Sequence, residues 1–145
     1  MKDIMISQKL KTILIKGTSS IINVAIVLIL SLPIVILFGA NLFWKMATIL
    51  IFFLYNLTFR VFGKFTQNRS VGMVITGRSW INDYPKKRHL LYSIFYTVSF
   101  ATLFFWVWFP FDIFLLNIFL VQIPFILVTG TTFHGWLGGK MKVKI

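Results

Sequence analysis

Residues 17–44 read GTSSIINVAIVLILSLPIVILFGANLFW, a run of 28 uncharged positions in a chain of 145 residues. Within this run, positions 21–38 hold 14 Ile, Leu, Val or Phe residues. A helix needs about 20 mainly apolar residues to cross a bilayer, and each such side chain favours insertion by about 0.3 to 0.6 kcal/mol. The stretch therefore predicts a first transmembrane helix over residues 19–40, with Pro33 inside it.

The overall composition also indicates a membrane protein. Hydrophobic residues make up 58% of the chain and charged residues only 12%, which is far too apolar for a small soluble domain. Fifteen Lys and Arg against three acids leave a net charge of +12. On a soluble chain this balance would suggest nucleic acid. Because the cations flank apolar runs here, the expected partners are anionic phospholipids and not nucleic acid.

Three further segments are expected to cross the membrane. The 14 uncharged residues between Lys45 and Arg60 are short for a span, but both cations can extend to opposite interfaces along their apolar stems. Before the first span, apolar residues at helical spacing and four lysines predict an interfacial amphipathic helix. A cleavable signal peptide is the alternative for this region, but its apolar run is too long and later spans follow. The predicted segments are an interfacial helix at 1–16, spans at 19–40, 42–61, 90–109 and 112–129, a loop at 62–89 and a tail at 130–145.

The distribution of Lys and Arg predicts the orientation. In a four-span arrangement, 14 of the 15 lie on one side, which the positive-inside rule places in the cytoplasm. Only Lys45 lies opposite, beside Trp44, Trp106 and Trp108. We therefore predict an all-α membrane protein: one domain, a four-transmembrane-helix bundle with an N-terminal amphipathic helix and cytoplasmic N and C termini. The abundance of Lys, Ile, Asn and Phe suggests an AT-rich bacterial genome, and hence the bacterial cytoplasmic membrane.

The polar residues offer little chemistry. The chain has no Cys and no Glu, so no catalytic residue, metal site or cofactor is predicted, and the protein is not expected to be an enzyme. Asp112 is expected to cap the fourth helix, and His89 and His134 to hold polar interfacial positions. The basic cluster Lys86, Lys87 and Arg88 is expected to bind lipid headgroups. Asn23, Asn56, Asn117 and Gln122 are expected to make interhelical or partner contacts.

One arrangement is more specific than these features. Ser70-Val71-Gly72 is followed by Gly77 and then by a basic residue that leads into a helix, and a Thr-x-His-Gly-x-x-Gly-Gly segment closes the chain. This pattern resembles the RDD family of small bacterial membrane proteins, in which a Ser/Thr-x-Gly-Lys-x-x-x-Gly loop follows the second helix. The corresponding positions here are Lys16, Asn23, Ser70, Gly72, Gly77, Arg88, His134 and Gly139.

The chain departs from the family pattern at the residues that name it. Lys16, Asn23 and Gly135 stand where the family has Arg, Asp and Asp, and Met73 replaces the Lys of the loop. The resemblance implies either cation/proton antiport or partnership with a larger membrane complex. Because both acids are replaced, the proton-carrying groups of an antiporter are missing and the scaffold remains.

Three functions are compatible with these features. The leading hypothesis is a non-enzymatic accessory or regulatory subunit that binds another integral membrane protein, for example a sensor kinase, a transporter or a secretion component. The first alternative is a small ion or solute transporter built as a homo-oligomer, with the Asn and Gln residues along its path. The second is an immunity protein against a bacteriocin or toxin.

Overall fold

The computed structural model describes residues 2–138 in full and the backbone of residues 143–144. The first helix, α1, runs without a break from Lys2 to Phe38 and contains Pro33. At 1.5 Å per residue it is about 55 Å long, well beyond the roughly 30 Å of a hydrocarbon core. The predicted interfacial helix and first span are therefore one continuous helix, which Gly39 ends with a φ of +81°.

The second long helix, α2, spans Leu42–Asn56 and continues as a π-helical turn, Leu57–Val61. The side chain of Asn41 caps its N-terminus by accepting from the amide of Trp44. The segment that follows was predicted to be a plain loop, but it is folded. It comprises a 3₁₀ turn at Lys64–Thr66, a short helix α3 at Val71–Ile75 and a two-residue strand β1 at Ser79–Trp80.

The second half of the chain forms a helical hairpin with a short final helix. Its first arm is α4, Lys86–Ala101, extended by a 3₁₀ turn at Thr102–Phe104. Residues 105–109, predicted to end the third span, instead belong to the connection, because Asp112 turns back to accept hydrogen bonds from the amides of Val107 and Trp108. The second arm comprises α5 at Asp112–Leu116, a π-helical stretch at Asn117–Gln122 and α6 at Ile123–Thr129; α7 at Phe133–Leu137 and a strand β2 at Val143–Lys144 follow.

The helices pack in the order α4, α2, α1, α6, with α3 against α1 and α7 against α4. An aromatic core runs between α2 and α4, where Phe52 stacks on Phe100 with 4.0 Å between ring centroids. At one end of the bundle, Trp44 meets Phe104 edge to face and Lys45 lies over the ring of Trp106. The other end, which we call the basic end, holds α3, α7 and the loop segments around them.

The all-helical class predicted from the sequence is confirmed, apart from antiparallel pairing of the two short strands, Ser79 with Lys144 and Trp80 with Val143. Among the described residues, three helical segments are long and apolar enough to cross a membrane: Lys2–Phe38, Leu42–Val61 and Asp112–Thr129. This part of the chain is thus helical, with three candidate membrane spans.

Candidate functional site

Asn23 is the centre of a buried polar cluster at the basic end. Its side chain is 1% exposed and connects three elements. The amide oxygen accepts hydrogen bonds from the Tyr55 hydroxyl at 2.7 Å and from the Gly72 amide at 2.9 Å. The amide nitrogen donates to Ser70 Oγ at 3.1 Å. A single side chain of α1 thereby fixes α2 and the start of α3, in a setting where unpaired polar groups are costly.

Gly72 allows α3 to approach α1 this closely. A Cβ atom at this position would lie 2.2 Å from the backbone oxygen of Ser19 and 2.8 Å from Asn23 Oδ1. Neither neighbour is the flexible end of a long side chain, so a larger residue would force the elements apart. Gly77 has the other role expected of a glycine, since it turns the chain after α3 with a φ of +70°.

Arg60 lies beside this cluster and is 2% exposed. Its Nε donates to Asn56 Oδ1 at 2.8 Å, and its Nη2 donates to Ser70 Oγ at 3.3 Å. The guanidinium carbon also lies 4.5 Å from the ring centroid of Tyr92, so the aromatic face stabilises the cation. The Arg60 side chain does not extend outwards from the bundle, because neutral hydrogen-bond acceptors and rings hold it inside the protein.

A second arginine, Arg78, is buried near Arg60. It is 5% exposed, and its Nε has no hydrogen-bond partner. Burial lowers the pKa of the Arg78 guanidinium, and the neighbouring charge of Arg60 acts in the same direction. Arg60 and Arg78 both line a cavity of about 20 Å³, which has room for about one water molecule. None of the three aspartates lines it.

His134 closes the cavity from α7. Its ring stacks on Tyr96 at 4.6 Å, and its Nε2 lies 3.2 Å from the Tyr92 hydroxyl. Both histidines were expected at polar interfacial positions and both are buried instead, His89 at 1% and His134 at 5% exposure.

Lys16 completes the group of buried cations, at 8% exposure. Its Nζ donates to the carbonyl oxygen of Gly130 at 3.2 Å. Gly130 is the C-cap of α6 with a φ of +77°, and a cation at a helix C-terminus is favoured by the exposed carbonyls there. The lysine therefore ties α1 to the end of the last long helix.

The structure brings together most of the residues that carry the family resemblance. Lys16, Asn23, Ser70, Gly72 and His134 all contribute to the basic end, within the Asn23 cluster or around the cavity. Arg88 lies apart, over the ring of Tyr84, and Gly139 is outside the described residues. The basic cluster of Lys86, Lys87 and Arg88 is exposed on the first turn of α4 and does not line the cavity.

The four amides considered as a transport path fall into two separate groups. Asn23 and Asn56 belong to the basic end, where Ser70 accepts from both Asn23 and Arg60. Asn117 and Gln122 instead donate to Ser99 Oγ across the hairpin, at 2.6 and 3.3 Å. Most polar atoms of the four amides are hydrogen-bonded within the protein, so the amides form two separate structural clusters.

We expect the folded protein to lose stability as the pH falls below about 6.5. Burial, together with the charges of Arg60 and Lys16, holds the pKa of His134 well below its ordinary value. At acidic pH the unfolded chain takes up a proton at His134 that the folded chain excludes. This costs up to about 1.4 kcal/mol of stability per pH unit. Thermal unfolding in mild detergent between about pH 8 and about pH 5 measures this slope.

His134→Phe serves as the matched variant for this prediction. Phenylalanine retains the stacking on Tyr96 but cannot take up a proton, so the part of the slope that His134 contributes should disappear. A melting temperature that stays constant or rises towards acidic pH would show that the buried rings do not control stability.

The sequence did not identify Arg60 or Arg78 as site residues, because cations at the ends of spans and in loops are usually exposed. Two features of the sequence could have indicated them. Asn56 lies one helical turn before Arg60, where its oxygen can accept from the guanidinium, and Tyr92 and Tyr96 lie one turn apart on a facing helix. Among residues 2–138, no three His, Cys, Asp or Glu side chains group closely enough to hold a metal ion.

Neither a protein-family model, nor a curated protein sequence, nor a solved structure matches this chain.

Proposed function

We propose that the chain is a four-span, RDD-like protein of the bacterial cytoplasmic membrane that acts as a non-enzymatic accessory subunit of another integral membrane protein. In this arrangement α4 and its 3₁₀ extension form the third span, and the basic end, including both termini, is cytoplasmic. The proposal rests on the layout of the bundle and on one exposed surface of α2.

The packing of α4 against α2 supports the fourth crossing. At the basic end, Tyr92 of α4 faces Arg60 of α2, and at the opposite end Phe104 meets Trp44. The segment from Lys86 to Phe104 thus runs along the bundle beside Leu42–Val61, the segment of α2 and its π-helical turn that is long and apolar enough to cross. Placing the basic end in the cytoplasm follows the positive-inside rule.

The observation that carries the accessory role is an apolar ridge on α2. Four exposed side chains recur every four residues along this helix, with exposed fractions between 50% and 67%. Such i±4 rows are the ridges that pack into the grooves of a neighbouring helix. Because lipid tails are as apolar as leucine, a partner helix would replace lipid on this ridge only through close packing of side chains. The ridge consists of Leu42, Met46, Leu50 and Leu54.

The accessory role predicts a stoichiometric membrane partner whose binding depends on the ridge. The tagged chain should co-elute from its native host, in mild detergent, with one other integral membrane protein, and Leu50→Trp should greatly reduce the yield of that partner. Leu120→Trp is the control, because Leu120 is 69% exposed but lies on the other hairpin arm. Mass spectrometry of the eluates measures both proteins.

Two results would count against the role. A chain that elutes only as a homo-oligomer would favour the transporter hypothesis. Equal loss of the partner from both tryptophan variants would show that α2 holds no specific docking surface.

A further inference from the structure

The polar cavity at the basic end borders a large apolar groove. The groove lies between α1, α4 and the last long helical arm, and Ser99 of α4 accepts hydrogen bonds from Asn117 and Gln122 in the π-helical stretch of that arm. Its volume is about 540 Å³, which lies within the range of small-molecule sites. The cavity and the groove share five lining residues: Lys16, Ser20, Tyr96, Thr132 and His134.

The cavity and the groove differ sharply in the chemistry of their linings. The cavity end carries the cations Lys16, Arg60 and Arg78. The guanidinium Nε of Arg78 and the Nδ1 of His134 are buried there without a hydrogen-bond partner. The groove end is lined almost wholly by apolar side chains, among them Leu28, Leu103 and Ile126. A ligand that satisfies both ends must join a negative headgroup to a long apolar tail.

We propose that the groove and the cavity together bind one anionic phospholipid of the cytoplasmic leaflet. An acyl chain lies along the groove, and the phosphate sits at the shared rim with one oxygen reaching into the cavity. The cavity has room for about one such atom, and the buried guanidinium groups supply donors for it. The site uses the four-span orientation but does not require a protein partner.

Charge complementarity favours a lipid over the other possible occupants. A transmembrane helix of a partner would fill the groove but would present no anion to the cavity unless it carried an acid at that depth. A free anion would satisfy Arg78 but would leave the groove empty. Inner-leaflet lipids bring both groups together at the depth of the headgroups, on the side that holds most of the Lys and Arg residues.

The test is native mass spectrometry of the delipidated full chain, titrated with phosphatidylglycerol or with phosphatidylcholine of the same acyl chains. We expect one phosphatidylglycerol per chain, bound at least about tenfold more tightly than phosphatidylcholine. Both lipids carry the phosphate, but only phosphatidylcholine adds a positive choline group, which the cations of the cavity repel. Inorganic phosphate, added as a third arm, should not displace the lipid.

Two variants localise the site to the cavity and the groove. Arg78→Gln should reduce the preference for phosphatidylglycerol to about twofold or less, because it removes a charged donor from the cavity. Its matched control is Lys87→Gln, which removes one exposed cation on the same side. Gly17→Phe should block the groove near the rim, because a Cβ at Gly17 meets nothing within 4 Å and the fold can accept it. Gly17→Ala is the control for that change.

Several results would overturn the proposal. Equal binding of the two lipids would remove the role of charge, and wild-type lipid binding by Gly17→Phe would place the lipid elsewhere. Full displacement by inorganic phosphate would assign the cavity to a free anion. A photoreactive residue at Ala25, which lines the groove, should cross-link to lipid in native membranes, and cross-linking to a protein would assign the groove to a partner helix. If Arg78→Gln does not fold, the Gly17 pair and the two lipids still decide the outcome.

Discussion

Asn23→Leu is expected to lower the free energy of unfolding by about 3 to 5 kcal/mol, because each buried polar group left without a partner costs about 1 to 3 kcal/mol. The substitution removes the acceptor for the Tyr55 hydroxyl and the Gly72 amide, and the donor to Ser70. α3 would then lose its polar attachment to α1. Thermal or denaturant unfolding in mild detergent, followed by tryptophan fluorescence, measures the loss.

Asn23→Asp is the informative control for this experiment. A carboxylate keeps the acceptor for Tyr55 and Gly72, and it places a negative charge near Arg60, with which Asn23 shares the Ser70 hydroxyl. We therefore expect Asn23→Asp to retain much more stability than Asn23→Leu. Equal stability of the wild type and the leucine variant would show that the Asn23 cluster does not hold the basic end together.

Gly72→Ala is expected to cost about 3 kcal/mol of stability, at the upper end of what overpacking usually costs. The new methyl group would meet the Ser19 backbone oxygen at 2.2 Å, so α3 must move away from α1. That movement also lengthens the hydrogen bond from the Gly72 amide to Asn23. The same unfolding measurement applies.

Gly17→Ala is the matched control on α1. An alanine there meets no atom within 4 Å, and replacing glycine inside a helix favours folding by about 0.5 to 1 kcal/mol. The two Gly→Ala changes should therefore act in opposite directions. A Gly72→Ala variant as stable as wild type would mean that α3 does not pack against α1 as described.

The sequence predicts best those features that depend on residues close together in the chain. Long apolar runs predict helices because the backbone must satisfy its own hydrogen bonds in lipid, and α1 and α2 appear where their runs predict them. Their ends were harder to place. The helix predicted at 90–109 ends instead at Phe104. The reason is that Asp112, five residues beyond Val107 in the chain, turns the connecting segment back on itself.

The candidate site could be predicted only in part, because it depends on which distant residues meet. Composition suggested that Asn23 would bond to another element, but its partners lie 32 to 49 residues away in sequence. The burial of Arg60 could not be predicted from hydropathy, because a hydropathy scale gives every arginine the same strongly polar value. Its stabilisation by Tyr92 exists only once α2 and α4 are packed.

The central claim, a four-span bundle with a cytoplasmic basic end, is tested most directly by labelling single cysteines with an impermeant maleimide. The chain has no native cysteine, so each introduced one reports without background. Asn82→Cys places an exposed probe in the loop at the basic end, and Trp108→Cys places one in the hairpin connection, where Trp108 is 85% exposed. In intact bacterial cells, permeable at the outer barrier only, we expect Trp108→Cys to react at once and Asn82→Cys only after the cytoplasmic membrane is opened. Reaction of both from the same side would show that α4 does not cross the membrane, and reaction of Asn82→Cys alone would invert the proposed orientation.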